Sequence, residues 1–169
     1  MKNKVIIITG ASSGIGTSLA FESAKNNNKL VLASRDKKRL SEIVKEIHDK
    51  RIDAIYVQTD VTNKENCRNL IDKTIERYGR IDVLINNAGI SMHALFNELD
   101  LNIVEKVMNT NFWGTVNCTK YALPFLLKNK GSLIGVSSIA GQIGLPERSA
   151  YSASKFAMNG FLEYVRCEN

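Results

Sequence analysis

The sequence predicts an α/β fold, a doubly wound and mostly parallel sheet of about five strands with helices on both faces. Short apolar runs of β type alternate with helix-spaced apolar stripes along the whole chain. The first run, Val5 to Thr9, is apolar nearly throughout, as expected of a strand buried on both faces. A glycine-rich bend follows it directly and opens onto a helical stretch.

The elements follow in order. Val5 to Thr9 is the first strand, and a helix runs from about Gly14 to Lys25. Asn26-Asn27-Asn28 is the turn into a second strand, Leu30 to Ala33. Leu40, Ile43, Val44 and Ile47 then fall at i, i+3, i+4 and i+7, one stripe of a helix. Ala54 to Val57 is the third strand. Leu70, Ile71, Thr74, Ile75 and Tyr78 mark the next helix, and Val83 to Ile85 the fourth strand. A long helical region runs from about Asn102 to Leu127, with Pro124 as its expected kink or break. Leu133 to Val136 is the fifth strand, and a last helix extends from about Ala150 to Arg166. The alternation requires right-handed crossovers between parallel strands. With no linker and no internal repeat, residues 1–169 read as a single dinucleotide-binding domain.

Composition narrows the function classes. The 169 residues carry 23 Lys plus Arg against 17 Asp plus Glu, a net charge of +6, with 44% hydrophobic and 24% charged residues. That is the balance of a globular domain and not of a disordered tail. The tightest basic cluster, Lys37-Lys38-Arg39, has no interleaved aromatic residues, so it reads as a solvated helix start and no nucleic-acid partner is expected. No apolar run approaches the ~20 residues of a membrane span. The apolar stretch after Lys4 is too short for a signal-peptide core. Cys67, Cys118 and Cys167 are widely spaced and in no paired-ligand pattern, so neither a disulfide framework nor a zinc site is expected and the setting reads as reducing and cytoplasmic. His48 and His93 stand apart from other ligands, and no metal site is expected.

The bend reads Thr9-Gly10-Ala11-Ser12-Ser13-Gly14-Ile15-Gly16. Gly10 permits a tight turn, Gly14 lets backbone approach a pyrophosphate, and Gly16 lets helix pack closely on strand. The helix N-terminus then offers free N–H groups and positive dipole to phosphates. The spacing resembles the T-G-x-x-x-G-x-G signature of the short-chain dehydrogenase/reductase superfamily, a family of Rossmann-type fold. The resemblance covers the whole chain and rests on four further motifs. It implies cofactor binding along Gly10, Ser12, Ser13, Gly14, Ile15 and Gly16.

The second strand ends in Ser34-Arg35-Asp36. An acid at this point of a dinucleotide fold bonds the adenosine ribose, whereas an Arg accommodates a 2′-phosphate. Ser34 followed by Arg35 favours NADP, with NAD possible if Asp36 turns inward. Asp60-Val61 ends the third strand. The resemblance sets Asp60 against the adenine ring, and a role in starting the next helix is as reasonable physically. The fourth strand leads into Asn86-Asn87-Ala88-Gly89. By resemblance Asn87, Ala88 and Gly89 both steady the sheet and lie along the adenosine half of the cofactor.

Tyr151 and Lys155 stand at i and i+4, on one face of a helix. An ammonium beside a phenol stabilises the phenolate, and such a tyrosine can trade a proton with an alcohol/carbonyl pair. Ser138 lies thirteen positions earlier, at the carboxyl end of the fifth strand, where ligands of parallel sheets bind; Ser137 is the adjacent alternative. Asn111 matches the family's helix asparagine. The resemblance implies an oxidoreductase moving hydride between a nicotinamide and a small-molecule carbonyl or alcohol. In it Tyr151 is the general acid/base, Lys155 tunes it and binds ribose, Ser138 orients the carbonyl and Asn111 sustains a water chain. No G-x-S-x-G elbow supports a hydrolase. Phe112 and Trp113 read as helix packing or an oligomer face, and the long helix and the Tyr151 helix are the expected surfaces of a homo-oligomer.

Relatives of this pattern continue beyond the Tyr151 helix with segments that close the nicotinamide pocket and choose the substrate. Here the sequence ends at Asn169, which leaves the fifth strand as an unpaired sheet edge. A fragment of a longer reductase, a short form completed by self-association, and a non-catalytic dinucleotide-binding or dimerisation module all remain open. Ile143, Leu145 and Pro146 suggest a pocket tolerant of hydrophobic groups.

Overall fold

The computed structural model describes residues 2–169. One sheet is built from β1 (Val5–Thr9), β2 (Lys29–Ser34), β3 (Ala54–Gln58), β4 (Val83–Asn86) and β5 (Ser132–Gly135). Its order is β3-β2-β1-β4-β5, and every pairing is parallel. The helices are α1 (Gly14–Ala24), α2 (Lys37–His48), α3 (Lys64–Tyr78), α4 (Leu101–Met108), α5 (Gly114–Lys128) and α6 (Ser149–Glu168). The chain steps outward from β1 to β3, then returns to the other side of β1 at β4. The carboxyl ends of β1 and β4 therefore flank the topological switch point, where such sheets bind ligands.

The apolar run of β1 divides by alternation between two cores. Ile6 and Ile8 face a cluster with Leu30, Leu32, Ala20, Leu40, Ile43 and Ile47, under α1 and α2. Ile7 faces the opposite cluster with Val31, Ala33, Leu70, Ile71, Cys118 and Ala122, under α3 and α5. Burying each of these isoleucine side chains contributes ~1.5–3 kcal/mol. The helix stripe read at Leu40, Ile43, Val44 and Ile47 is the buried face of α2.

Two expectations need correction. The long helical region does not break at Pro124, which lies inside α5. The ring costs the Lys120 carbonyl its helical partner, but Lys120 is exposed and water can take that bond. The interruption comes earlier, at Asn109–Trp113, which forms a π-helical turn between α4 and α5. The fifth strand is also displaced by one residue, Ser132–Gly135 in place of Leu133 to Val136, although Val136 N still donates to Asn86 O at 2.9 Å. As expected, β5 is an edge: among the described residues it pairs with β4 alone. A cleft of about 910 Å³ lies beside it, lined by Leu126, Leu133 and Leu162 among others.

Candidate functional site

At the switch point the glycine bend and the segment after β4 are knitted together. Thr9 Oγ1 accepts from the backbone N–H groups of both Asn87 and Ala88, each at 3.0 Å, and donates to Ile85 O at 3.3 Å. Asn87 Nδ2 donates to Thr9 O at 2.9 Å and to Gly10 O at 3.2 Å. A Cβ on Gly10 would lie 2.8 Å from Ala88 Cα, and Gly10 has φ +64°. A Cβ on Gly16 would collide with Gly10 O. Gly14 differs: nothing stands within 4 Å of its missing Cβ, and its φ of +51° is what demands glycine.

Ser13 caps α1 through its backbone only, with no side-chain bond to the first turn. The leading N–H groups of the helix thus face an open cleft. A phosphate is the group that such a terminus takes. The cleft measures about 470 Å³ and is lined by Gly10, Ser12, Ser13, Gly14, Ile15, Ser34, Arg35, Asp60, Val61, Asn87, Ala88 and Gly89. Of the thirteen positions named from the bend, the end of β2 and the segments after β3 and β4, twelve line this cleft; Gly16 is buried beside Gly10, and Tyr151 and Lys155 are not among the lining residues. The geometry fits a dinucleotide in three respects: open space beside Gly14, a helix start with no side-chain cap, and a lining drawn from the ends of β1 and β2 and from the segments after β3 and β4.

At the β2 end, Arg35 is exposed beside the cleft. Asp36 is the N-cap of α2, its Oδ1 accepting from Arg39 N at 2.9 Å, and Ser34 Oγ accepts from Asp36 N at 3.1 Å. Asp60 closes a turn in which its Oδ1 accepts from both Thr62 N and Thr62 Oγ1; the N-cap of α3 is Asn63. Asp60 thus helps to set up α3 and lines the cleft as well.

The other half of the site lies where α6 passes β4 and the π turn. Asn111 is fully buried and not a surface helix asparagine. Its amide grips the backbone of Ile90 both ways, accepting from Ile90 N at 2.8 Å and donating to Ile90 O at 2.9 Å. It also donates to Ser154 Oγ at 2.9 Å, and Ser154 Oγ donates to Tyr151 O at 2.7 Å. The extra residue of the π turn is what swings Asn111 inward, a common use of such bulges. Lys155 is 4% exposed, its Nζ donates to Val136 O at 2.7 Å and lies 5.8 Å from the centre of the Tyr151 ring. Burial pushes the Lys155 ammonium below its usual range.

Gly89 joins the two halves. It lines the cleft, and a Cβ there would stand 3.2 Å from Asn111 Oδ1 and 3.7 Å from Lys155 Nζ. Ser138 lies three residues past β5 in an extended conformation and caps a short 3-10 turn, its Oγ accepting from Ala140 N at 3.2 Å. Ser137 differs: it lines the cleft beside β5, but its Oγ is buried on the Gly141 side and makes no hydrogen bond among the described residues. No group of three or more candidate metal ligands occurs among the described residues.

Three groups escaped the sequence reading. Thr9 was visible as part of the signature, but its hydroxyl as the knot between β1 and β4 was not. Ser154 was hidden inside the Tyr151–Lys155 spacing. Arg148 ties the residues before α6 to the segment after β4, donating to Ser91 Oγ at 2.6 Å and Met92 O at 2.8 Å, while His93 Nε2 pairs with Glu147 Oε2 at 2.6 Å. Nothing in local spacing announces that clamp.

Known proteins share this arrangement. The chain is 42% identical over 167 residues to 11-beta-hydroxysteroid dehydrogenase A of Sesamum indicum, covering 98% of this chain and 48% of that protein. It is 44% identical over 168 residues to 11-beta-hydroxysteroid dehydrogenase-like 2 of Arabidopsis thaliana, covering 98% and 54%. The chain thus spans about half the length of these curated relatives. An alcohol dehydrogenase of Thermococcus sibiricus, solved with 5-hydroxy-NADP, superposes with a TM-score of 0.96 at 28% identity, over 98% of this chain and 71% of that one. A short chain dehydrogenase/reductase of Burkholderia phymatum, solved with NAD, gives 0.96 at 30% identity, over 99% and 60%. The sequence profile of the short chain dehydrogenases matches residues 4–169, so the chain belongs to the short-chain dehydrogenase/reductase family.

Proposed function

We propose that the chain is the dinucleotide-binding and catalytic portion of an NADP(H)-dependent oxidoreductase that interconverts a carbonyl and an alcohol. The observation that carries this reading is the junction at Gly89, where the cofactor cleft abuts the Asn111 amide and the Lys155 ammonium. A bound nicotinamide would supply or accept the hydride. Gly10, Ser12, Ser13, Gly14, Ile15 and Gly16 would hold its phosphates, Ser34, Arg35, Asp60 and Val61 the adenosine end, and Asn87, Ala88 and Gly89 the wall between. Tyr151 exchanges a proton with the substrate oxygen. Lys155, held by Val136 O, presents its ammonium on the Tyr151 side of the site, 5.8 Å from the centre of that ring. Ser138 Oγ holds its O–H free to donate to the substrate oxygen while it accepts from Ala140 N. Asn111 secures the backbone at Ile90 and its own turn, which keeps the floor of this site in place.

The preference for NADP is supported by Arg35, exposed at the ribose end of the cleft; Asp36 lines the same end, with its Oδ1 held by Arg39 N. The hydroxysteroid names of the relatives, with Ile143 exposed near the site, support a hydrophobic ketone or secondary alcohol as substrate. Half-exposed Trp113, at the end of the π turn that leads into α5, and half-exposed Phe156 on α6 support self-association through this face. A cytoplasmic location accords with the free thiols. The test is to titrate the chain with NADPH by fluorescence, then follow nicotinamide absorbance against a panel of hydrophobic ketones. Turnover is expected, and Tyr151→Phe should abolish it while leaving NADPH binding within about twofold. Turnover retained by Tyr151→Phe overturns the assigned chemistry. Tight binding with no oxidation on any ketone supports the binding-module reading instead.

A further inference from the structure

Two thiols far apart in sequence meet inside the helix layer beneath α3 and α5. Cys67, near the start of α3, and Cys118, on α5, have sulfur atoms 3.5 Å apart, the Cys118 thiol donating to the Cys67 sulfur. Both side chains are fully buried. Cys67 Sγ in turn donates to Val61 O at 3.3 Å.

Val61 connects this pair to the cofactor cleft. Its carbonyl also accepts from Asn117 Nδ2 at 3.1 Å, its side chain fills the space beside Gly114, and the residue lines the cleft. Cys67 thus lies one hydrogen bond, and Cys118 two, from a wall of the proposed dinucleotide site. The bond from Cys118 holds the Cys67 thiol below its usual range against the opposing effect of burial. The same bond, with burial, pushes Cys118 up. The two thiols thus form one relay, Cys118 S–H to Cys67 S–H to Val61 O, in which the Cys67 sulfur faces Cys118 with a lone pair.

We propose that Cys67 and Cys118 form a peroxide-oxidisable dithiol whose disulfide alters the Val61 wall of the dinucleotide cleft. The Cys67 thiolate attacks one oxygen of hydrogen peroxide and the O–O bond breaks. This gives the Cys67 sulfenic acid and hydroxide, which takes up a proton to leave as water. The Cys118 sulfur then displaces the sulfenic oxygen, which leaves as a second water with the Cys118 proton, and the S–S bond forms. The two thiols are oxidised and the peroxide is reduced to water. Bonding distance is reached by an approach of only about 1.5 Å. The disulfide has no S–H, so Val61 O loses one of its two donors as Cys67 is drawn towards α5.

The coupling to the cleft rests on the dinucleotide-binding reading; formation of the disulfide does not. The experiment uses the Cys167→Ser chain, because exposed Cys167 would otherwise cross-link chains. The reduced protein is treated with hydrogen peroxide and followed by intact mass, non-reducing peptide mapping and NADPH titration. The expected result is a loss of two hydrogen atoms and a peptide joining Cys67 to Cys118. A severalfold weaker affinity for NADPH follows, and dithiothreitol restores all three measurements. Adding Cys118→Ser should abolish the mass loss and leave oxygen adducts on Cys67. Thiols that stay reduced in peroxide sufficient to oxidise free glutathione, or oxygen adducts without a cross-link in the parent, overturn the disulfide. A cross-linked chain with unchanged NADPH affinity overturns the coupling. A reduced chain that binds neither NADPH nor NADH instead sinks the cofactor reading, and the mass measurement alone then decides the disulfide.

Discussion

Asn87 Nδ2 bridges two successive backbone carbonyls, Thr9 O at 2.9 Å and Gly10 O at 3.2 Å, and so fixes the start of the glycine bend from the neighbouring strand. Both acceptors are in a partly buried region that water reaches poorly. Asn87→Ala should cost ~1–3 kcal/mol in chemical denaturation, the usual penalty of orphaned buried acceptors. NADPH affinity should fall about tenfold, equivalent to ~1.4 kcal/mol, because the bend loses its brace. Unchanged affinity in a folded Asn87→Ala chain would show that the bend holds its shape without it.

The glycines of the bend are required for different reasons, and a paired substitution separates them. A Cβ on Gly16 meets the backbone oxygen of Gly10, which cannot yield without unmaking the turn. Gly16→Ala should therefore destabilise the chain by more than ~4 kcal/mol or prevent folding. A Cβ on Gly14 meets nothing, so Gly14→Ala carries only the cost of a left-handed conformation, ~1–2 kcal/mol. Denaturation midpoints of the two variants test the order.

The sheet and its helices were legible because period-2 and period-3.6 patterns are local. Ile6 and Ile8 against Ile7 can be assigned to opposite faces from sequence alone, and the stripe from Leu40 to Ile47 can be placed against one of them. Twelve of the positions named from the motifs line one cleft. What could not be read depends on partners far along the chain. Asn111 turns inward to meet Ile90, 21 residues away, and the π turn that carries it has no spacing signature. Pro124 drew attention to the wrong place, because a proline whose lost bond faces water need not break a helix. Cys67 and Cys118 looked unrelated, since only the packing of α3 on α5 brings them together.

In the proposed reading, cofactor choice turns on Arg35 and Asp36. Arg35→Ala should weaken NADPH by tenfold or more, about 1.5–3 kcal/mol for lost charged hydrogen bonds, and leave NADH within about twofold. Asp36 is committed to Arg39 N, so Asp36→Ala should cost ~1 kcal/mol of stability as a lost helix cap. It should leave the ratio of NADPH to NADH affinity unchanged. Parallel titrations with both dinucleotides measure each ratio, and equal losses for the two in Arg35→Ala would remove it from phosphate recognition.

Asp82 sets an acid limit on the fold. It is 2% exposed, and its carboxylate accepts from Val5 N at 2.9 Å and from Arg80 Nε and Nη2 at 3.0 and 2.6 Å. Lys4 Nζ stands 3.6 Å away. Burial alone would raise its pKa; Arg80, the Val5 N–H and Lys4 outweigh that and hold it below the ordinary aspartate range. A depressed folded pKa means that the unfolded chain binds the proton first as pH falls. The contribution is therefore complete above the unfolded value of about 3.9 and is lost as pH drops from there through the folded value. Asp82→Asn keeps an acceptor for Val5 N but surrenders the charge, and should cost ~1–3 kcal/mol near neutral pH. The gap between variant and parent should close as the pH of the denaturation series is lowered below about 4. A gap that stays constant down that series would show that the carboxylate charge contributes nothing there.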